Sequence, residues 1–120
     1  MDTRTKILTL EAALALPRGE ITLAAGYFDG LRAAHARDLG ALPRPLLAVV
    51  LPLAEELLPQ RARAEMVAAL RMVDYVVIAR ESDLDALVER LVPLRLVRLE
   101  SSDTARVQQL IEHVHLRQVR

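Results

Sequence analysis

Three short apolar runs constrain this chain more than any other feature: ITLAA over 21–25, LLAVVL over 46–51 and YVVIA over 75–79. Each is continuous rather than alternating, the pattern of strands covered on both faces. Between them lie segments of helical composition, Leu31 to Leu42 and Gln60 to Met72, the second carrying Met66, Val67, Leu70 and Val73 at helical spacing. Strands that alternate with helices predict a parallel sheet joined by right-handed crossovers, with helices on both faces. A fourth run, LRLVRL over 94–99, alternates apolar residues with arginine and reads as a strand near an edge or open to a cleft on one face. Thr9 to Leu16 reads as a short helix stopped at Pro17, Arg18 and Gly19. Ser82 to Leu91 reads as a helix opened by a Ser-x-x-Asp capping box and closed before Pro93. Ser101 to His115 reads as a last helix, with Ser101 and Ser102 as N-cap candidates and Val107, Leu110, Ile111 and Val114 as its stripe. The fold class expected is α/β: a Rossmann-like three-layer α/β/α arrangement on a mainly parallel four-stranded sheet, residues 1–120 forming one domain.

Composition narrows what such a fold can do. The chain has no cysteine, which closes thiolate nucleophiles, thiolate metal sites and disulfides. Sixteen basic residues balance sixteen acidic ones, and the aromatic residues are Tyr27, Phe28 and Tyr75 alone, so nucleic acid is not expected as a partner. The longest apolar stretch, Leu46 to Ala54, falls well short of the roughly 20 residues that span a bilayer, and a soluble cytoplasmic protein is expected. His113 and His115, two apart on a helix and so about 200° around it, are not expected to share a metal. Ligands of parallel α/β sheets sit beyond the carboxyl ends of the strands, which directs attention to the residues that follow each run.

After the first run comes GYFDGLRAAH, residues 26–35. This stretch resembles the phosphate-binding motif G-x-F-D-x-L-H-x-G-H of the cytidylyltransferase-like nucleotidyltransferases, in their heptose-phosphate and glycerol-phosphate branch. Gly26, Phe28, Asp29, Leu31 and His35 match it as they stand. Further likenesses follow in family order: RAEMVAALRMVDYVV from Arg63, LVPLRLVR from Leu91 to Arg98, and SSDTARVQQLI from Ser101. The resemblance implies a strand order of 3-2-1-4 and a nucleotide pocket between the first and fourth strands. It also implies transfer of a nucleotidyl group from CTP or ATP, with Mg2+, to a sugar- or polyol-phosphate, and a homodimer. Carried over residue by residue, His35 and Arg32 take the catalytic positions. Gly26, Tyr27, Phe28, Asp29, Arg63, Arg98, Ser101, Ser102 and Thr104 take the nucleotide and phosphate positions.

The departures fall at the chemistry. Arg32 stands where the motif has its first histidine, and Ala34 where it has a glycine that lets backbone approach phosphate. Arginine holds a phosphate by its fork but shuttles no proton. Leu94 and Asp103 replace an aspartate and a threonine, and the segment that carries a glycine-rich loop and fifth strand in the family is missing between Arg98 and Ser101. The reading of the residues alone leaves several roles open. Arg63, with Arg61, opens a helix where the dipole disfavours cations, which fits a ligand-facing role or a surface salt bridge. Asp29 suits a turn-stabilising role, and Ser101, Ser102 and Thr104 suit capping as well as phosphate binding. The expectation is a degenerate nucleotidyltransferase-like protein with weakened or lost transfer; an active enzyme using Arg32 and His35, and a dimeric non-catalytic scaffold, stand as alternatives.

Overall fold

The computed structural model describes residues 3–29, 33–54, 56 and 58–99. A 3-10 turn over Thr3–Lys6 leads into β1 (Ile7–Leu8), α1 (Leu10–Leu14), β2 (Thr22–Gly26), α2 (Ala33–Gly40), β3 (Leu46–Val50), α3 (Gln60–Ala68), β4 (Tyr75–Ile78), α4 (Glu81–Leu91) and β5 (Arg95–Arg98). The fold is α/β, with a parallel sheet. It has five strands rather than the expected four, and its order is β1-β4-β3-β2-β5. The addition is β1, a two-residue strand before the first predicted element that pairs with β4 at Ile7↔Val76 and Leu8↔Val77. Two residues carry no readable periodicity, and only the partner strand makes them a strand.

The continuous apolar runs are continuous because both faces are covered. Every residue of β2 and β3 is buried. On one face Leu23, Ala25, Leu47 and Val49 pack against Ala13 of α1 and against Leu84, Leu87 and Leu91 of α4. On the other, Ala24, Ala48 and Val50 pack against Leu39 of α2 and against Ala64, Val67 and Ala68 of α3. The strand β5 is half-open as its arginines predict: Leu96 is 40% exposed and Leu94, just before it, 63%.

Helix ends differ from the sequence reading for local reasons. In α1 the Thr9 hydroxyl accepts from the Ala12 amide at 3.1 Å, making Thr9 the cap rather than the first residue. The last turn expected of α3 is absent: the helix ends at Ala68, and Met66 of the predicted stripe lies exposed while Val67 is buried. In α4 the helix starts at Glu81, so the Ser82–Asp85 box does not form; Asp83 caps instead, accepting from the Arg80 amide at 3.0 Å. The predicted helix from Ser101 lies outside the described residues. Among the described residues no helix is long and apolar enough to cross a membrane.

Candidate functional site

The connections from β2 to β3 and from β3 to β4 run one way across the sheet, and the return from β4 places β5 on the far side of β2. The strand order therefore reverses between β2 and β5, where α/β sheets open a crevice at their carboxyl ends. The β2 side of this crevice is Gly26, Tyr27, Phe28 and Asp29, and the β5 side is Arg98 and Leu99, with Ala25 in register with Arg98. A Cβ on Gly26 would lie 3.2 Å from the Leu99 Cβ and 3.3 Å from the Phe28 ring, so a glycine is what lets both pack here. Phe28 takes a left-handed backbone, φ 53°, and is 1% exposed. That conformation costs about 1–2 kcal/mol in a non-glycine residue. It turns the ring back onto the sheet, 6.4 Å between centroids from the His35 ring with the planes at 55°. His35, in the first turn of α2, is itself 5% exposed. Phe28, expected among the nucleotide contacts, is thus a core residue that shapes the turn from below.

Of the two roles left open for Arg63, ligand-facing or a surface salt bridge, the structure shows an ion pair, made from the interior to the partly exposed Glu56. Its side chain is fully buried, and its guanidinium faces inward. Nη1 donates to the Tyr27 carbonyl at 2.6 Å and to the Leu51 carbonyl at 2.9 Å, Nε to the Leu58 carbonyl at 3.1 Å, and Nη2 to the Glu56 carboxylate at 2.8 Å. Three acceptors are backbone groups at the carboxyl ends of β2 and β3 and in the loop that follows, so one side chain ties these segments together. Asp29 adds to the tie, accepting from the Leu58 amide at 3.1 Å. This bond joins the turn after β2 to the loop before α3.

Gln60, which the sequence reading did not single out, completes the arrangement. Its Nε2 donates to the Val50 carbonyl at 2.9 Å and to the Ala79 carbonyl at 3.3 Å, at the ends of β3 and β4. The first turn of α3 thereby covers the carboxyl ends of β3 and β4. A signal for this existed in the sequence: α3 has two arginines and no acidic residue in its first turn, the reverse of what the helix dipole favours. Such an arginine is held there by acceptors elsewhere.

On the β5 side, Arg98 donates through Nη2 to both carboxylate oxygens of Glu81, at 3.2 and 3.0 Å. Both side chains are partly exposed. Arg32, Ser101, Ser102 and Thr104 lie outside the described residues, so Gly26, Tyr27, Phe28, Asp29, His35, Arg63 and Arg98 are the predicted residues placed at this end. Among the described residues no group of three or more histidine, aspartate or glutamate side chains could hold a metal ion.

Two features lie at the opposite end. Asp74, within the stretch RAEMVAALRMVDYVV, accepts from Arg44 at 2.6 and 3.2 Å and from the Leu46 amide at 2.7 Å, bracing the starts of β3 and β4. The Arg44 hydrogen bond holds its carboxyl below the usual carboxylate range against the opposing effect of partial burial, with the Leu46 amide adding to the lowering. An open cleft of about 490 Å³, lined by Leu14, Arg18, Ala86, Glu89 and Arg90, runs between α1 and α4. Its residues precede β2 and β5 rather than follow them, so it is not the crevice at the switch point.

No protein-family model matches this chain, and no curated protein sequence matches it. Among solved structures it is similar to the lipopolysaccharide core biosynthesis protein from Thermoplasma volcanium GSS1, with a TM-score of 0.55 and 21% identity over 63% of this chain and 70% of that one. At that identity the likeness is one of fold.

Proposed function

We propose that this chain is a nucleotidyltransferase-like protein that binds a phosphate-bearing nucleotide at the β2/β5 crevice and in which nucleotidyl transfer is weakened or lost. The observation that carries the reading is the inward-facing guanidinium of Arg63, a position that the motif likeness gives to phosphate binding. An arginine fully buried against three carbonyls and a carboxylate contributes structure rather than transition-state charge, and removal of one such stabilising group costs on the order of a hundred- to a thousandfold in rate. The substitutions Arg32 for histidine and Ala34 for glycine act in the same direction. His35 keeps its motif position and is the residue on which remaining transfer would depend.

The donor in this reading is CTP or ATP and the acceptor a sugar- or polyol-phosphate, a class in keeping with the named role of the structural neighbour. Magnesium enters with the nucleotide: one or two carboxylates plus phosphate oxygens suffice for it, and no larger protein cluster is needed. Titration calorimetry with CTP and ATP in magnesium, followed by pyrophosphate release with glycerol- and heptose-phosphates, tests the reading. Binding without turnover is expected, with turnover gained in Arg32→His plus Ala34→Gly. Rapid wild-type turnover abolished by His35→Ala would replace it with the active-enzyme reading. A dimeric scaffold is favoured by a separate observation, the exposure of Leu96 in β5 and of Leu94 just before it, at one of the two sheet edges among the described residues. Sedimentation equilibrium of Leu96→Lys against wild type decides whether that edge joins two copies.

A further inference from the structure

With the ends of β3 and β4 covered by Gln60 and Arg63, an anion entering the crevice meets the β5 side, where Arg98 stands one register position before the Gly26 turn. Its Nη2 is held by both oxygens of Glu81. Glu81 opens α4, where the positive end of the helix dipole favours a carboxylate whether or not Arg98 is present. It therefore remains beside the arginine when a ligand arrives.

We propose that Glu81 is a built-in competitor for the anion site: its carboxylate takes the guanidinium that a phosphate would take, and its charge repels ligands in proportion to the negative charge they carry. This rests on the phosphate-binding reading of the β2/β5 crevice. The pair is partly solvated on both sides, 41% exposed at Arg98 and 58% at Glu81, so it is weak enough for a multivalent anion to displace and strong enough to lower its affinity. The device discriminates by charge, weakening pyrophosphate and triphosphate groups more than a phosphomonoester.

The test is titration of wild type, Glu81→Gln, Glu89→Gln, Arg98→Gln and the Glu81→Gln/Arg98→Gln double variant with inorganic pyrophosphate, inorganic phosphate and, separately, CTP. Pyrophosphate affinity is expected to rise about two- to fivefold in Glu81→Gln, the range of an exposed ion pair, and more at low salt. Inorganic phosphate should gain less. Glu89→Gln removes the same charge from the other end of α4 and should change nothing. No gain in Glu81→Gln, an equal gain in Glu89→Gln, a gain that persists without Arg98, or no pyrophosphate binding to any variant overturns the proposal. Pyrophosphate responding as expected while CTP binds no variant leaves the competitor in place and removes the nucleotide reading. CTP binding wild type and Glu81→Gln equally does the reverse.

Discussion

Replacing Arg63 by methionine keeps most of the unbranched stem and deletes the guanidinium, which isolates what its hydrogen bonds contribute. The Leu51 carbonyl belongs to a fully buried residue and would be left without its charged donor, at about 1–3 kcal/mol. The Tyr27 and Leu58 carbonyls are partly buried and can recover water, so each loses about 1 kcal/mol. The total, about 3–5 kcal/mol, matches the cost of breaking a buried charge pair and is a large share of the roughly 5–15 kcal/mol that holds a domain folded. Glu56 is 39% exposed, so Glu56→Gln, which keeps an acceptor oxygen in reach of water, should cost only about 1 kcal/mol. Arg63→Lys should fall between, since an ammonium keeps the charge but lacks the fork that reaches several acceptors. Urea unfolding followed by circular dichroism gives the three midpoints. Arg63→Met costing under about 1 kcal/mol, or no more than Glu56→Gln, would refute the view that this arginine is a strut. So would an Arg63→Lys protein of wild-type stability that has lost phosphate binding, because that is the behaviour of a ligand.

Two further outcomes follow from single groups. The Thr22 hydroxyl is buried with no hydrogen-bond partner among the described residues, so Thr22→Val, which exchanges it for a methyl of the same shape, should stabilise the protein by about 1 kcal/mol and raise Tm by several degrees in a thermal scan. For Asp74, the folded pKa lies below the unfolded value of about 4, so its contribution is present above that pH and is lost as the pH falls through the folded value. Urea midpoints of wild type and Asp74→Asn should therefore differ fully at pH 6–7 and converge in acid; a gap that stays constant down to pH 2 would remove Asp74 from the account.

The sheet was legible because burial on both faces leaves a mark in single residues: ITLAA and LLAVVL have no polar position after Thr22 to interrupt them, and β2 and β3 are buried throughout. The edge strand β1 was not, because Ile7 and Leu8 are two apolar residues without a period, and their pairing with Val76 and Val77 is a property of the assembled sheet. At the site, Gly26 and His35 were legible by position in a motif, yet the motif says nothing of how deeply a side chain lies. Phe28 and Arg63 read as contacts for a ligand and stand as interior residues, since burial of a long or aromatic side chain depends on elements distant in sequence. Glu81 and Gln60 matter through partners seventeen and nineteen residues away, Arg98 and Ala79, a separation at which no helical or strand spacing connects them.

The turn of Arg63 into the interior follows from the backbone itself. A parallel sheet ends at its carboxyl edge with carbonyls that no next strand residue satisfies, and buried backbone acceptors are almost always paired. Water, a ligand or a side chain must supply the donors. At β2 the Gly26 carbonyl accepts from the Leu51 amide, and the next carbonyl, Tyr27, takes Arg63. At β3 the Val50 carbonyl takes both the Ala79 amide and Gln60, and Leu51 takes Arg63; at β4 Ala79 takes Gln60. Amide and guanidinium groups suit this work because each carries several donors in a fixed plane, so two side chains reach acceptors on three strands. Gln60 and Arg63, one helical turn apart on α3, thus satisfy the carboxyl edge from β2 to β4. At the end of β5, Arg98 bonds to Glu81. In the proposed reading the donors that a phosphate needs come instead from the β2/β5 side, where it would contend with the Arg98–Glu81 pair.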